Sequence, residues 1–181
     1  MAKLRMLAVA LALAASSSAA LADPVADFYK GRTMTVVISG STGSTYDVGT
    51  RLIVKHMSRY IPGHPQIVPK SMIGAGHLLA TNYLYGAAER DGSVIGSIGE
   101  TIPMAHFMTP AQVKFNANEF FWLGNPSVAV TTIMTWHASG IRTLQDAMKR
   151  DVVLGASGAG STSSQVPQII NNVLGLSLIH I

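Results

Sequence analysis

Met34-Thr35-Val36-Val37-Ile38-Ser39-Gly40-Ser41-Thr42-Gly43-Ser44-Thr45 is the stretch on which the fold turns. Its first five residues are apolar or β-branched and are bounded by polar residues and glycine, the pattern of a buried parallel strand. The next seven are small and polar, and read as a loop. A helix is expected from about Tyr46 to Tyr60, with Val48, Leu52, Ile53 and Met57 on one face and Arg51, Lys55 and Arg59 on another. Ile61-Pro62-Gly63-His64-Pro65 stops it.

Working outward, the same unit recurs. Gln66 to Lys70 is a short strand, Gly74-Ala75-Gly76 a turn, Leu78 to Ala87 a helix, and Asp91-Gly92 a turn into a strand from Val94 to Ile98. Further along, Thr101 to Met108 reads as a helix with Pro103 in its first turn, and Phe120 to Gly124 and Thr131 to Trp136 read as strands. Thr143 is placed to cap a helix to Lys149. Val152 to Ala156 is another buried strand, running into Ser157-Gly158-Ala159-Gly160-Ser161-Thr162-Ser163-Ser164 and a helix to about Leu174. Strands alternating with helices in this way indicate right-handed βαβ units, hence an α/β fold whose parallel sheets are flanked by helices. A domain change is expected near Gly124 to Ser127.

The N-terminus reads differently. Lys3 and Arg5 precede an apolar run from Met6 to Ala15, and a small-residue stretch ends in Ala20-Leu21-Ala22. This is the order of a secretory signal peptide, with cleavage expected between Ala22 and Asp23. The apolar run is shorter than the roughly 20 residues a membrane span requires. No later stretch is long and apolar enough, so no membrane insertion of the mature chain is expected. The leader holds two of the 13 basic residues and none of the nine acidic ones, so its removal lowers the net charge from +4 to +2. Lys and Arg are otherwise spread singly, without the basic stripe that nucleic acid demands. The chain has no cysteine, so packing alone must stabilise it.

The loops at residues 39–45 and 157–164 carry the functional signal. Each follows a strand and opens a helix, where the first backbone N–H groups lack intrahelical partners and the helix dipole adds positive potential. Glycine permits close approach and Ser or Thr hydroxyls add donors, so the expected guest is an anion held by neutral dipoles. One such loop alone is equally well a capped tight turn; two in matching context favour the anion. Asp47 is either a favourable first-turn carboxylate or an acceptor for a donor from ligand or loop. Met72, Met104, Met108 and Met134 are expected to fill the core.

Enzyme motifs fail at residues their chemistry needs. Gly155 to Thr162 has P-loop spacing, but Ser161 stands where the phosphate-binding lysine belongs. Gly155-Ala156-Ser157-Gly158-Ala159 approaches the nucleophile elbow of a serine hydrolase, yet Ala159 replaces its last glycine. Only His180 follows Ser157, and no acid does, so a triad in that chain order cannot close. Gly158 to Ser163 keeps two of the three glycines of a dinucleotide fingerprint. The six histidines are scattered without metal-ligand spacing, and His56 and His64 read as surface residues. A non-enzymatic protein without metal or cofactor is expected. A secreted hydrolase using Ser157 is the alternative from another class.

From about Asp27 to Gly175 the chain resembles the periplasmic receptors of tripartite tricarboxylate transporters, the Bug family. The resemblance is carried by Phe28-Tyr29-Lys30-Gly31-Arg32, by Tyr46-Asp47 with Arg51-Leu52, by Ile61 to Pro65, and by Gly74-Ala75-Gly76. It continues through Asn82-Tyr83-Leu84-Tyr85, Asp91 to Gly96 and Gly155 to Ser161. It implies a two-lobed binding protein of Venus-flytrap type that closes over a small carboxylate and hands it to a small and a large integral-membrane subunit. A sensor-coupled variant would instead report occupancy to a membrane kinase. Ser39, Gly40, Ser41, Thr42, Gly43 and Ser44 would hold the carboxylate with Asp47 nearby, and the second lobe would add Ser157, Gly158, Ser161 and Thr162. Ser41-Thr42 depart from the family's commoner Pro-Gly-Gly loop, which leaves the ligand's identity open. Family members run well past the second loop and its helix. After the leader over 1–22, the resemblance implies a first lobe over 23–125, an incomplete second lobe over 126–175, and a foreign tail over 176–181 of a truncated frame.

Overall fold

The computed structural model describes residues 23–128 and 130–180, so the leader read at 1–22 lies outside the described residues. Helix α1 (Pro24–Tyr29) leads into β1 (Thr33–Ile38), α2 (Thr45–Met57), β2 (Gln66–Ser71), α3 (Leu78–Gly86) and β3 (Val94–Ser97). The three strands form one parallel sheet in the order β2-β1-β3. Thr33 pairs with Gln66 and Thr35 with Val94, so β1 has a ladder on each side. Its inward run Val36, Val37 and Ile38 is buried, as a central parallel strand covered on both faces should be. Burying each of those side chains contributes about 1.5–3 kcal/mol.

Three of the motifs that carry the resemblance meet at the start of β1. The Tyr29 hydroxyl donates to the Gly92 carbonyl at 3.0 Å, and the Arg32 guanidinium lies 4.3 Å from the Phe28 ring centre. Gly63, at φ +83, sits so close to α1 that a Cβ there would lie 2.9 Å from the Lys30 nitrogen. These motifs close the end of the sheet away from the small-residue loops, and their work is structural.

After β3, Ile102–Met104 makes a 3₁₀ turn and Ala105–Met108 a short helix, α4. Pro103 stands in the first turn, as read from the sequence. Leu78, Ile102, Ala105 and Phe115 pack into one core cluster, with Tyr85 and Phe120 against it. A second cluster joins Ala147, Val152, Leu176 and Leu178. It holds α5 (Leu144–Ala147), β4 (Val152–Leu154), α6 (Thr162–Leu174) and β5 (Leu178–His180), with β4 and β5 parallel. Thr143 caps α5, and Asp146 returns the bond to the Thr143 backbone. Leu178 to His180, within the segment read as a foreign tail, supply β5, and Asn171 fixes Leu178 by bonds of 2.8 and 2.9 Å through both its amide atoms.

Three expectations are corrected. Residues 120–124 and 131–136 form no strand; Phe121, Leu123 and Met134 are exposed and find no ladder partner among the described residues. Strand composition produces a strand only where a neighbouring edge exists. The apolar stripe of α2 faces outward at Val48, Leu52 and Ile53, while Asp47 and Thr50 are the buried residues. The reason is local: Thr50 bonds the Ser97 hydroxyl at 2.7 Å and Asp47 turns back to its own loop, so the polar side of the helix meets the sheet. Met104 and Met134 are exposed rather than core filler.

Candidate ligand-binding site

The first loop begins where β1 ends. Ser39 is buried, and its hydroxyl donates to the Ser97 carbonyl on β3 at 2.9 Å while standing 2.8 Å from His77 Nδ1. Ser41 accepts the Ser44 N–H at 2.9 Å, closing a turn in which Ser41, Thr42 and Gly43 lie exposed. Gly40 allows the chain past Tyr46, since a Cβ there would stand 2.6 Å from the Tyr46 Cβ. Ser44 caps α2 by accepting the Asp47 N–H at 3.3 Å.

Asp47 is almost fully buried, and both its oxygens are engaged. Oδ2 accepts the Gly43 N–H at 2.9 Å and Oδ1 accepts Arg51 Nε at 2.7 Å. The Gly43 N–H chiefly holds the carboxyl below its usual range; burial opposes this and the Arg51 guanidinium adds to it. Of the two readings offered by the sequence, the geometry gives an acceptor that orders the loop from within. Its charge is matched by Arg51 one helical turn away.

The second loop, after β4, runs from Gly155 to Ser161. Ser161 occupies the N-cap of α6 without capping it by its side chain; its hydroxyl donates back to the Gly158 carbonyl at 2.6 Å. Ser161 thus differs from Ser44, whose side chain caps α2. Ser157 is exposed, with its hydroxyl 3.2 Å from that of Ser163. Gly158 is at φ +145, where a side chain is strained and where a Cβ would stand 2.6 Å from the Gly76 nitrogen.

Residues 75–77 bring the two loops to one place. His77 reaches Ser39, and its ring lies 4.9 Å from the Tyr46 ring. Its neighbour Gly76 packs its α-carbon on the backbone of 158–161, where a Cβ would meet the Ser161 nitrogen at 2.5 Å and the Gly160 nitrogen at 2.8 Å. The Gly160 N–H donates to the Ala75 carbonyl at 3.4 Å, and its carbonyl accepts the Thr101 hydroxyl at 3.0 Å. Thr162, the first residue of α6, donates from its hydroxyl to Glu100 Oε1 at 2.9 Å. Burial lowers the His77 pKa, with the Ser39 hydrogen bond acting in the opposite direction.

Sequence reasoning placed Ser39 to Ser44, Asp47, Ser157, Gly158, Ser161 and Thr162 on two loops, but it missed His77, Gly76, Glu100 and Thr101 between them. Gly74-Ala75-Gly76 was a visible signal for close backbone approach. No signal pointed to His77, whose left-handed φ of +78 appears only in three dimensions. Among the described residues no cluster of His, Asp and Glu is arranged to hold a metal ion, and no helix is long and apolar enough to cross a membrane.

No protein-family profile matches the chain, and no curated protein matches its sequence. Among solved structures it is similar to R. palustris Rpa4515 with adipate, at TM-score 0.53 and 19% identity over 83% of this chain and 52% of that one. The chain therefore spans about half the length of that protein. At such low identity the likeness speaks for architecture: the α/β arrangement of parallel sheets flanked by helices is shared with a protein of known fold.

Proposed function

We propose that this chain is a receptor for a small carboxylate, exported to the periplasm and working without catalysis. The ligand sits between its two amide-rich loops, in the cleft of a two-lobed protein of the tripartite tricarboxylate receptor type. It passes from there to a small and a large integral-membrane subunit. The observation that carries this reading is the meeting of both loops on the adjacent residues Gly76 and His77. Two loops that open helices meet there, and at the second of them Ser161 does not cap α6 with its side chain. The N–H groups of a helix start suit an acceptor-only guest, which a carboxylate is. Rpa4515 was solved with adipate, and that makes a linear dicarboxylate the first ligand to try. Ser157 has a serine hydroxyl, not an imidazole, beside it, which favours binding over acyl transfer.

Calorimetric titration of the chain with adipate, succinate, citrate, acidic amino acids and aromatic acids tests this directly. Saturable heat with at least one acid, and no labelling of Ser157 by a fluorophosphonate, is the expected result. No heat across the set, or stoichiometric labelling, overturns it.

A further inference from the structure

Between the two core clusters, residues 130–136 have the composition of a strand without a strand's partners. No backbone N–H or carbonyl from Val130 to Thr135 makes a backbone hydrogen bond among the described residues. Phe121, Leu123, Val128, Val130, Met134 and Trp136 are each between 73% and 96% exposed. At that exposure the six present roughly 900 Å² of mostly apolar surface, against the about 800 Å² that each partner gives to a standard stable interface. So much apolar surface on one short stretch marks an interaction site.

The sequence of the stretch says which partner fits. From Phe120 to Ile141 there is no Asp, Glu, Lys or Arg, and from Ser127 to Ile141 no proline. Open strand edges are normally guarded by such residues. This chain guards its own sheet in that way, since β2, at one edge of it, carries Pro69 and Lys70. An uncharged segment offers a charged partner nothing to read, yet it can lie against its own copy without like-charge repulsion. Antiparallel pairing across a two-fold axis at Ile133 sets Val130 opposite Trp136 and Thr131 opposite Thr135, each pair occurring twice. Aromatic with β-branched residues, and threonine with threonine, are favourable cross-strand pairs.

We propose that residues 130–136 are the interface of a homodimer, in which two copies pair as antiparallel strands about Ile133. The flanking apolar side chains pack around the ribbon. A two-fold contact of this kind is closed, so assembly stops at two copies. Association supplies the strand partner that the single chain lacks, and the segment exchanges freely only where dilution keeps the chain monomeric. Dimerisation in this way needs no ligand and stands apart from the carboxylate reading.

Sedimentation velocity of the ligand-free chain from about 1 to about 100 µM should show the mass rising from one chain to two, as suits a standard-sized interface without charged anchors. Val130→Lys and Met134→Lys alter exposed side chains that belong to neither core cluster. Each should weaken association at least about tenfold and leave the melting temperature of the dilute chain unchanged. The chain has no cysteine, so Ile133→Cys adds a single thiol that meets its mate on the axis. Directly opposite Cα atoms lie at disulfide distance there, and oxidation should give a covalent dimer. Val128→Cys should stay largely unlinked, because its two copies lie about ten residues of strand apart, roughly 33 Å. A chain that is monomeric throughout overturns the assignment and leaves the segment to a different partner. A dimer that survives both lysine variants, or links no better through residue 133 than through 128, places the interface elsewhere and overturns it as well. Open-ended aggregation in place of a dimer does the same, since it means adhesive surface without the two-fold register.

Discussion

The imidazole of His77 sits between the end of β1 and the ring of Tyr46, half-buried and hydrogen-bonded to Ser39. Burial disfavours its charged form, so its pKa in the folded chain lies below the ordinary 6.5. The unfolded chain then binds a proton that the folded chain refuses, and stability falls as pH drops from about 6.5 to the folded value, flattening below it. Above that window His77 is neutral in both states and contributes nothing to the pH dependence. His77→Asn removes the titration while tolerating the left-handed backbone at φ +78. Melting temperatures measured from about pH 8 to about pH 5 should fall for the wild type below about pH 6.5 and stay flatter for the variant. Parallel curves would show that His77 is not the group responsible. Asp47 titrates in a separate window, because its folded pKa lies below the ordinary 3.8 and its contribution is lost only in stronger acid.

At the scale of elements, the segment 74–77 decides whether the two loops share a site. Gly76 has φ +60, and a Cβ there would press on backbone atoms of Gly158, Gly160 and Ser161, none of which can swing aside as a side chain tip can. Gly76→Ala should separate the loops with a penalty of about 1–3 kcal/mol in strain. Carboxylate affinity measured by calorimetry is expected to fall at least about tenfold, at the upper part of that range, with β1 still protected from exchange. Unchanged affinity would mean that the contact between loops is irrelevant to binding. The elements themselves were largely legible. Val36-Val37-Ile38 announced β1, and Gly63 and Gly92 punctuated the chain where the structure turns. The two loops were legible because strand, small residues and helix follow one another in local sequence. Their connection was not, since it depends on a left-handed turn and on contacts between residues some eighty positions apart.

For the molecule as a whole, the two core clusters leave a long apolar segment between them. Phe121 is 96% exposed, and Leu123, Val128, Met134 and Trp136 are exposed as well. The sequence there has the aromatic and β-branched residues of strands, which is why it was read as two of them; propensity of that kind counts only when a neighbouring strand supplies the ladder. Local stability should therefore differ sharply along the chain. The amides of Val36 to Ile38 lie in a strand bonded on both sides and buried, so they exchange only in near-global opening. Those of residues 121–128 and 130–136 have no ladder and little cover, so they exchange at rates close to those of an unfolded peptide. Hydrogen–deuterium exchange followed by mass spectrometry should separate the two regions by at least about a thousandfold in rate, the factor corresponding to roughly 4 kcal/mol of opening free energy. Protection of 130–136 matching that of β1 in the isolated monomer would show that the segment is paired in solution, and would restore the strand assignment that the sequence suggested.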